Sequence, residues 1–337
     1  MRALFLSLFF VACTSSSPVD GDGGGGGNGG GGGGGGIPGP GNFFPAGAPW
    51  TTDISGAETS DMSDEIINWL DGEGWGGGRM QIDFSIDLLV ANSSTPRRGF
   101  ETTDDFFDPD CDDIEMPIPE GGNLEGESGY ACENDGDCHL LVIDREENRL
   151  YEMWRANIEG NTFYGGCLAS WDLSRSYPET LRGDQCSSAD AAGFPIAPLT
   201  FTADEVASGE ITHAIRFILP NARMRDGVYV RPATHAGAPN GPDSAPPYGV
   251  RFRLRADYPL ESLPNDGARV VAKAMQRYGM FLADGGTITL TAMSDRHTVA
   301  KWNGLLEPRD LTDIQPSDFE VLKFGQVITQ TYDCVRN

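Results

Sequence analysis

The residues of this chain best suited to acid–base chemistry are two aspartates and two histidines. Asp190 lies in the turn-like run Ser188-Ala189-Asp190-Ala191-Ala192-Gly193, and Asp284 in Ala283-Asp284-Gly285-Gly286. Turn aspartates ordinarily cap backbone N–H groups. Brought into one cleft, two carboxylates instead act as general acid and as base or nucleophile in glycoside cleavage. His235 sits in the Gly- and Pro-rich stretch PATHAGAPNGPDSAPPYG. Loops held by a rigid scaffold carry a large share of binding and catalytic groups, so His235 joins the catalytic candidates. His213, between Ile211 and Ile215, suits a satisfied core histidine better than a base and is kept as a further candidate. Arg231 leads into the His235 loop and Arg251 follows it, so both are placed to bind substrate. The competing role for them is pairing with the surplus of carboxylates. Glu152 and Asp172 extend the list of acids. Trp171, with Trp154 and Tyr151, offers ring faces for sugars, although aromatic residues on strands usually pack in cores.

Other chemistries find little support. The acidic runs DDFFDPDCDD and ENDGD invite a structural calcium. The EF-hand template fails, however, because placing its glycine on Gly136 puts Val142 where the bidentate Glu belongs. No CxxC occurs, and His139 beside Cys138 lacks a partner at zinc-ligand spacing, so no metal is assigned. The Gly tract near the N-terminus has neither a strand before it nor a helix after it, which excludes a phosphate-binding loop. GxSxG is absent.

The elements that must position these residues are mostly strands. QIDFSIDLLV alternates Ile82, Phe84 and Ile86 with Asp83, Ser85 and Asp87, the period-two pattern of a half-buried strand. HLLVID and RLYEMW, separated by Arg145 to Asn148, predict a hairpin. EITHAIRFIL sets Ile211, His213, Ile215, Phe217 and Leu219 opposite Thr212, Ala214 and Arg216. GVYVRP, GVRFRLRAD, TITLTA and one or two segments of VLKFGQVITQTYDC complete the strands. Short helices are expected at Asp64 to Leu70 and after the capping box Thr202-Ala203-Asp204-Glu205, closed by Gly209. One longer amphipathic helix runs from Asp266 to Tyr278, capped by Asn265 and ended by Gly279. Many short strands and one packed helix predict a mainly β, sandwich or jelly-roll-like single body. A composition change near DDFFDPDCDD admits a small N-terminal subdomain over 45–115.

Residues 1–12, MRALFLSLFFVA, have the order of a signal peptide: Arg2, then an apolar run ending in small residues. Cys13 after Val11-Ala12 resembles the lipobox of bacterial lipoproteins, with Phe10 standing where Leu is usual. The glycine-rich stretch over 13–44 buries nothing and fixes no backbone, so it reads as a tether spanning on the order of 30 Å. The expected partner is a lipid membrane held through acylated Cys13, and the expected location the outer membrane or cell surface. The remaining six cysteines, Cys111, Cys132, Cys138, Cys167, Cys186 and Cys334, read as three disulfides of an exported chain. Local spacing favours Cys132 with Cys138 and Cys167 with Cys186, leaving Cys111 for Cys334. The net charge of −26 over 337 residues excludes a general nucleic-acid backbone binder. A monomer is expected.

The runs MPIPEGGNLEGE, GYACENDGDCHLLVID, CSSADAAGFPIAPL, ADEVASGEITHAIRF, RPATHAG, PPYGVRFRLRAD and RYGMFLADGG resemble a family of exported bacterial proteins with no settled function. The resemblance spans most of Met116 to Phe324. It implies an exported, compact body and carries over no catalytic residue. Export, disulfides and an inferred β-sandwich point to a surface-tethered carbohydrate-active enzyme, a hydrolase or a lyase, on extracellular polysaccharide. The same features fit a non-catalytic glycan-binding or adhesion protein, or a structural envelope protein.

Overall fold

The computed structural model describes residues 43–133 and 136–337. The signal segment, Cys13 and nearly all of the glycine-rich stretch lie outside the described residues, as do Asn134 and Asp135 of ENDGD. Phe43 and Phe44 already belong to the body: Phe43 is buried, and the Phe44 ring meets Trp50, Trp171 and Tyr177 edge-on. Trp50, Ile66 and Ile82 share one core with Phe217, Phe252 and Leu282, so 45–115 is no separate subdomain.

Two sheets organise the body. Their strands are β1 (Ile82–Ile86), β2 (Leu88–Ala91), β3 (Leu140–Asp144), β4 (Arg149–Trp154), β5 (Cys167–Asp172), β6 (Ile215–Leu219), β7 (Arg251–Leu254), β8 (Met280–Gly285), β9 (Leu290–Met293) and β10 (Phe319–Val321). The larger sheet has the order β1-β9-β6-β8-β7-β10, the smaller β5-β4-β3-β2. The mainly β body agrees with the sequence pattern, yet the sheets are mixed. β1 runs parallel to β9, β6 to β8, and β2 to β3. The β3–β4 hairpin pairs antiparallel across the predicted turn.

The small sheet lies between two cores. Along β3, Leu141 and Ile143 face the main core while Leu140 and Val142 face a second one with Tyr151, Met153 and Phe163. A strand buried on both sides needs a continuous apolar run, and LLVI is one. Helix α1 (Ser63–Glu73) packs Ile66, Ile67 and Leu70 inward. Helix α2 (Ala203–Ser208) carries the predicted capping box in both directions and ends at Gly209. Helix α3 (Asp266–Arg277) is capped by Asn265, which accepts from the Ala268 N–H at 2.8 Å. Its Ala268, Val271, Ala272 and Met275 stripe is fully buried. From β7, Arg251 and Arg253 bind the carbonyls of Pro49, Thr52, Ile54, Ser55 and Ala57 and so clamp the segment over 49–57 onto the sheet.

Three disulfides are present, and two pairings correct the local-spacing expectation. Cys132 joins Cys138, but Cys111 joins Cys167 and Cys186 joins Cys334. The Asp-rich segment runs beside the start of β5, where the Asp112 N–H donates to the Leu168 carbonyl, and this brings Cys111 to Cys167. Gly183–Asp184 pairs with Val335–Arg336, which delivers Cys334 to Cys186. Strand direction, not sequence distance, decides both.

Glu152 explains why β4 and β5 meet the loop after them where they do. Its wholly buried carboxylate accepts from the Trp171 indole at 3.0 Å and from the N–H groups of Ile196 and Ala197 at 2.8 to 3.0 Å. Burial pushes its pKa up to about 7 against the pull of those three donors. Replacing it leaves three buried donors unmet, each costing about 1–3 kcal/mol. Glu152→Ala is therefore expected to destabilise the oxidised protein by 3 kcal/mol or more, with Glu152→Gln milder because one acceptor oxygen remains; urea midpoints of the two variants check this order.

Candidate functional site

β6 is the scaffold of the site. Ile215, Phe217 and Leu219 fill the main core, and Arg216 on the other face is also buried, at 4% exposure. A guanidinium out of water must be met by charge and hydrogen bonds. Arg216 Nη2 lies 2.6 Å from Asp190 Oδ1 and 3.4 Å from Asp284 Oδ2, and Nη1 donates to Thr291 Oγ1 at 3.0 Å. Asp284 comes from the end of β8, in register with Ile218 of β6 beyond an irregularity in the pairing. Sharing one nitrogen at these distances, the two carboxylate oxygens lie no more than about 6 Å apart.

Asp190 arrives on a tightly held turn. The Ser188 hydroxyl accepts from the Asp190 N–H and donates to the Phe194 carbonyl, while Asp190 Oδ2 accepts from the Ala192 N–H. Gly193 closes the turn with φ +79°, and a Cβ there would lie 2.0 Å from Thr234 Oγ1. Within the turn, Ala191 is the hinge of the site. Its N–H points to Asp284 Oδ2 at 3.4 Å, and its carbonyl accepts from His235 Nδ1 at 2.9 Å. A carbonyl can only accept, so Nδ1 carries the proton and Nε2 is left with a lone pair. Gly237 lets the His235 loop close on this turn, since a Cβ would stand 3.0 Å from the Ala191 methyl and 3.1 Å from the Tyr248 hydroxyl.

A second ion pair borders the first. His139 Nδ1 meets Glu125 Oε2 at 2.6 Å, and Nε2 meets the Ala189 carbonyl at 3.1 Å. Both partners are acceptors, so the ring is an imidazolium. The Ser85 hydroxyl lies 2.7 Å from Asp83 and 3.1 Å from Glu125 and shares its one proton between the two carboxylates. Asp137 takes the Trp154 indole N–H at 2.5 Å.

The environment shifts each titrating group away from its ordinary value. Burial raises both Asp190 and Asp284, and one guanidinium cannot neutralise two carboxylates. Asp190, the more deeply enclosed, is pushed up to about 7, and Asp284 is raised as well, so the pair retains a proton between them. Asp284 is the member exposed enough to pass it to a substrate. Burial lowers His235, so it is a neutral base. For His139 burial opposes the charge, but the Glu125 carboxylate outweighs it and holds the ring up to about 9.

Three of the residues read from the sequence, Asp190, Asp284 and His235, thus meet around one turn. Asp190 is enclosed, its side chain 0% exposed, so it positions and does not touch substrate; Asp284 is 26% exposed and His235 half-buried. The other four candidates are accounted for elsewhere. His213 is sealed between the Ala214 carbonyl and Glu205, with no path to a substrate. Trp171 has no exposed face and binds Glu152. Arg231 is paired with Asp184. All three nitrogens of Arg251 are spent on the carbonyls of Pro49, Thr52 and Tyr278. In the acidic runs, Asp105 pairs with Arg155, Asp110 accepts from the Ser187 N–H, and Asp112 pairs with Arg182 and Arg336. Glu127, Cys132 and Cys138 lie close enough to share a metal ion, but the two sulfurs are bonded to each other and offer no thiolate. Arg216, Glu125 and His139 were not singled out for this site by sequence. The one local signal was an arginine on an otherwise apolar strand.

No protein-family model, curated protein or solved structure matches this chain.

The His139–Glu125 pair has a measurable pH signature. The folded ring holds its proton up to about 9 against 6.5 for a free one, so its stabilisation is complete below about 6.5 and lost as pH climbs through about 9. Unfolding free energy is expected to fall across that window in the native protein. His139→Gln should lack that part of the slope, which chemical denaturation at a series of pH values measures.

Proposed function

We propose that this chain is an exported carbohydrate-active enzyme that hydrolyses extracellular polysaccharide, held at the cell surface by a lipid on Cys13. One observation carries the reading: the backbone of Ala191 holds an accessible carboxyl on one side and a tautomer-fixed neutral histidine on the other. Burial raises the carboxyl and lowers the histidine, which favours a protonated acid beside a neutral base. Asp284 protonates the glycosidic oxygen as the bond to the anomeric carbon breaks. His235 Nε2 takes a proton from the water that attacks that carbon. Asp190 shares the retained proton with Asp284 and, with Arg216, holds the turn. Three disulfides favour an oxidising compartment. Among the described residues no helix is long and apolar enough to cross a membrane.

The test is release of reducing ends by the purified, oxidised chain from a panel of polysaccharides. Asp284→Asn and His235→Gln are each expected to lower kcat at least 100-fold, the ordinary range of general acid–base catalysis. The native profile should be bell-shaped. Its acid limb, where His235 gains a proton, lies below 6.5, and its alkaline limb, where Asp284 loses one, lies above the usual carboxylate range. Saturable glycan binding without turnover would reassign the site to a binding protein, and neither binding nor turnover would end the carbohydrate reading.

A further inference from the structure

We infer that Tyr332 is a specificity-determining residue of this site, its exposed ring the platform on which an uncharged pyranose stacks beside His235, and that the substrate is a neutral polysaccharide and not a polyuronate. The inference rests on the acid–base reading above and deepens it. Two independent features support it.

The first is the ring itself. Tyr332 is 65% exposed although it is a large aromatic near the end of the chain. Its backbone sits at φ +63°, a region costly for a residue with a side chain, so the surroundings hold it there. Those surroundings are well defined. The Thr331 N–H donates to the Gln185 side chain at 2.8 Å, and the Gln330 N–H to the Gly227 carbonyl at 2.8 Å. Gln330 accepts from the Ala236 N–H beside His235, and Cys334 is bonded to Cys186. The result sets the Tyr332 ring edge-on to His235, with centroids 5.6 Å apart, and its hydroxyl 3.4 Å from the Gly237 carbonyl. A fixed, solvent-facing ring at the edge of a polar site suits the C–H face of a sugar.

The second is charge. Around the site, among the described residues, every cation is committed. Arg216 faces Asp190, Asp284 and Thr291, and His139 faces Glu125 and the Ala189 carbonyl. Arg231 is held by Asp184 and Arg155 by Asp105. The exposed charge at the rim is that of Asp137, since Glu125 is held by His139 and Asp284 serves as the protonated acid, on a chain of net charge −26. A uronate carboxylate entering here would meet that charge and the field of an acidic chain with every neighbouring cation already paired, at a cost. A neutral ring meets none.

The experiment uses the full chain with Tyr332→Ala and Tyr332→Trp. Soluble β-glucan, galactomannan and xylan serve as neutral probes, polygalacturonate and alginate as anionic ones, and chitosan as a cationic one. The expected result is turnover of a neutral probe at a rate insensitive to salt. Tyr332→Ala should raise KM about three- to tenfold with kcat nearly unchanged, and Tyr332→Trp should restore KM. Faster turnover of a charged probe, or a Tyr332→Ala variant with native KM, overturns the inference while leaving the acid–base reading standing. If no probe is turned over, the acid–base reading fails instead. Tyr332 is then judged by calorimetric binding of the neutral probes, and absence of saturable binding overturns its role too.

Discussion

Burying one guanidinium in the middle of a sheet is the constraint from which the rest of this structure follows. Arg216 is flanked on β6 by Ile215 and Phe217, whose burial is favourable only if the strand is fully inside. That places the arginine inside as well, where an unpaired charge costs several kcal/mol. The chain answers with two carboxylates from distant positions and a threonine from the neighbouring strand. Taking away one partner of such a set costs about 3–5 kcal/mol, because it strands the remaining charge. The Asp190 turn, the end of β8 and the face of β9 are therefore located by the same atom group, and the site is as rigid as the core beneath it.

A site of this kind spreads over the sequence in a particular way. Its charged floor comes from central strands, while its rim comes from segments tied by covalent or near-covalent means. His139 follows the Cys132–Cys138 disulfide directly, and Tyr332 precedes the Cys186–Cys334 disulfide. The second closes a loop of 148 residues, which in a chain-entropy account limits the unfolded chain by about 5 kcal/mol. Those bonds tie irregular segments of the chain to one another. The small sheet contributes differently. Its Glu152 anchors Ile196 and Ala197, a few residues after the Asp190 turn, and so fixes that turn from its other side.

What was legible in the sequence was what is local. The β3–β4 hairpin, the Thr202–Glu205 capping box and the Asn265 cap each depend on residues within a few positions of one another, and each is present. The loop character of Asp190 and His235 was also legible, because Gly and Pro punctuate the chain around them, whereas Asp284, read as a turn residue, is paired within β8. What was hidden depends on which faces are covered. Arg216 alternates with apolar residues, as an arginine on a solvated face would, and only the presence of a second layer makes it internal. Trp171 is hidden for the same reason, since a strand pattern cannot tell a ring facing a core from one facing a sugar. Two disulfide pairings were missed because β5 carries the chain away from Cys167, so that nearness in sequence became distance in space. The parallel strand pairs are likewise set by long connections that no short window contains.

The division of labour at the site can be traced to a single peptide unit and its flank. Ala191 has an N–H and a carbonyl and nothing else to offer, and the two are chemically opposite. The N–H side accommodates only an acceptor, and Asp284 takes that place at a length of 3.4 Å, a weak hold that leaves its Oδ2 available to a proton. The carbonyl side accommodates only a donor, and His235 takes it at 2.9 Å, which binds the proton to Nδ1 and frees Nε2. Exchanging the two groups would set an ionised carboxylate against the carbonyl, which is repulsive, and turn a histidine lone pair toward the N–H, which would reverse the tautomer. Acid and base are thus assigned by the direction of the main chain through the turn, and that direction is set by Asp190 reaching for Arg216. The charge that had to be neutralised inside the sheet also decides which side chain outside it gives a proton and which takes one.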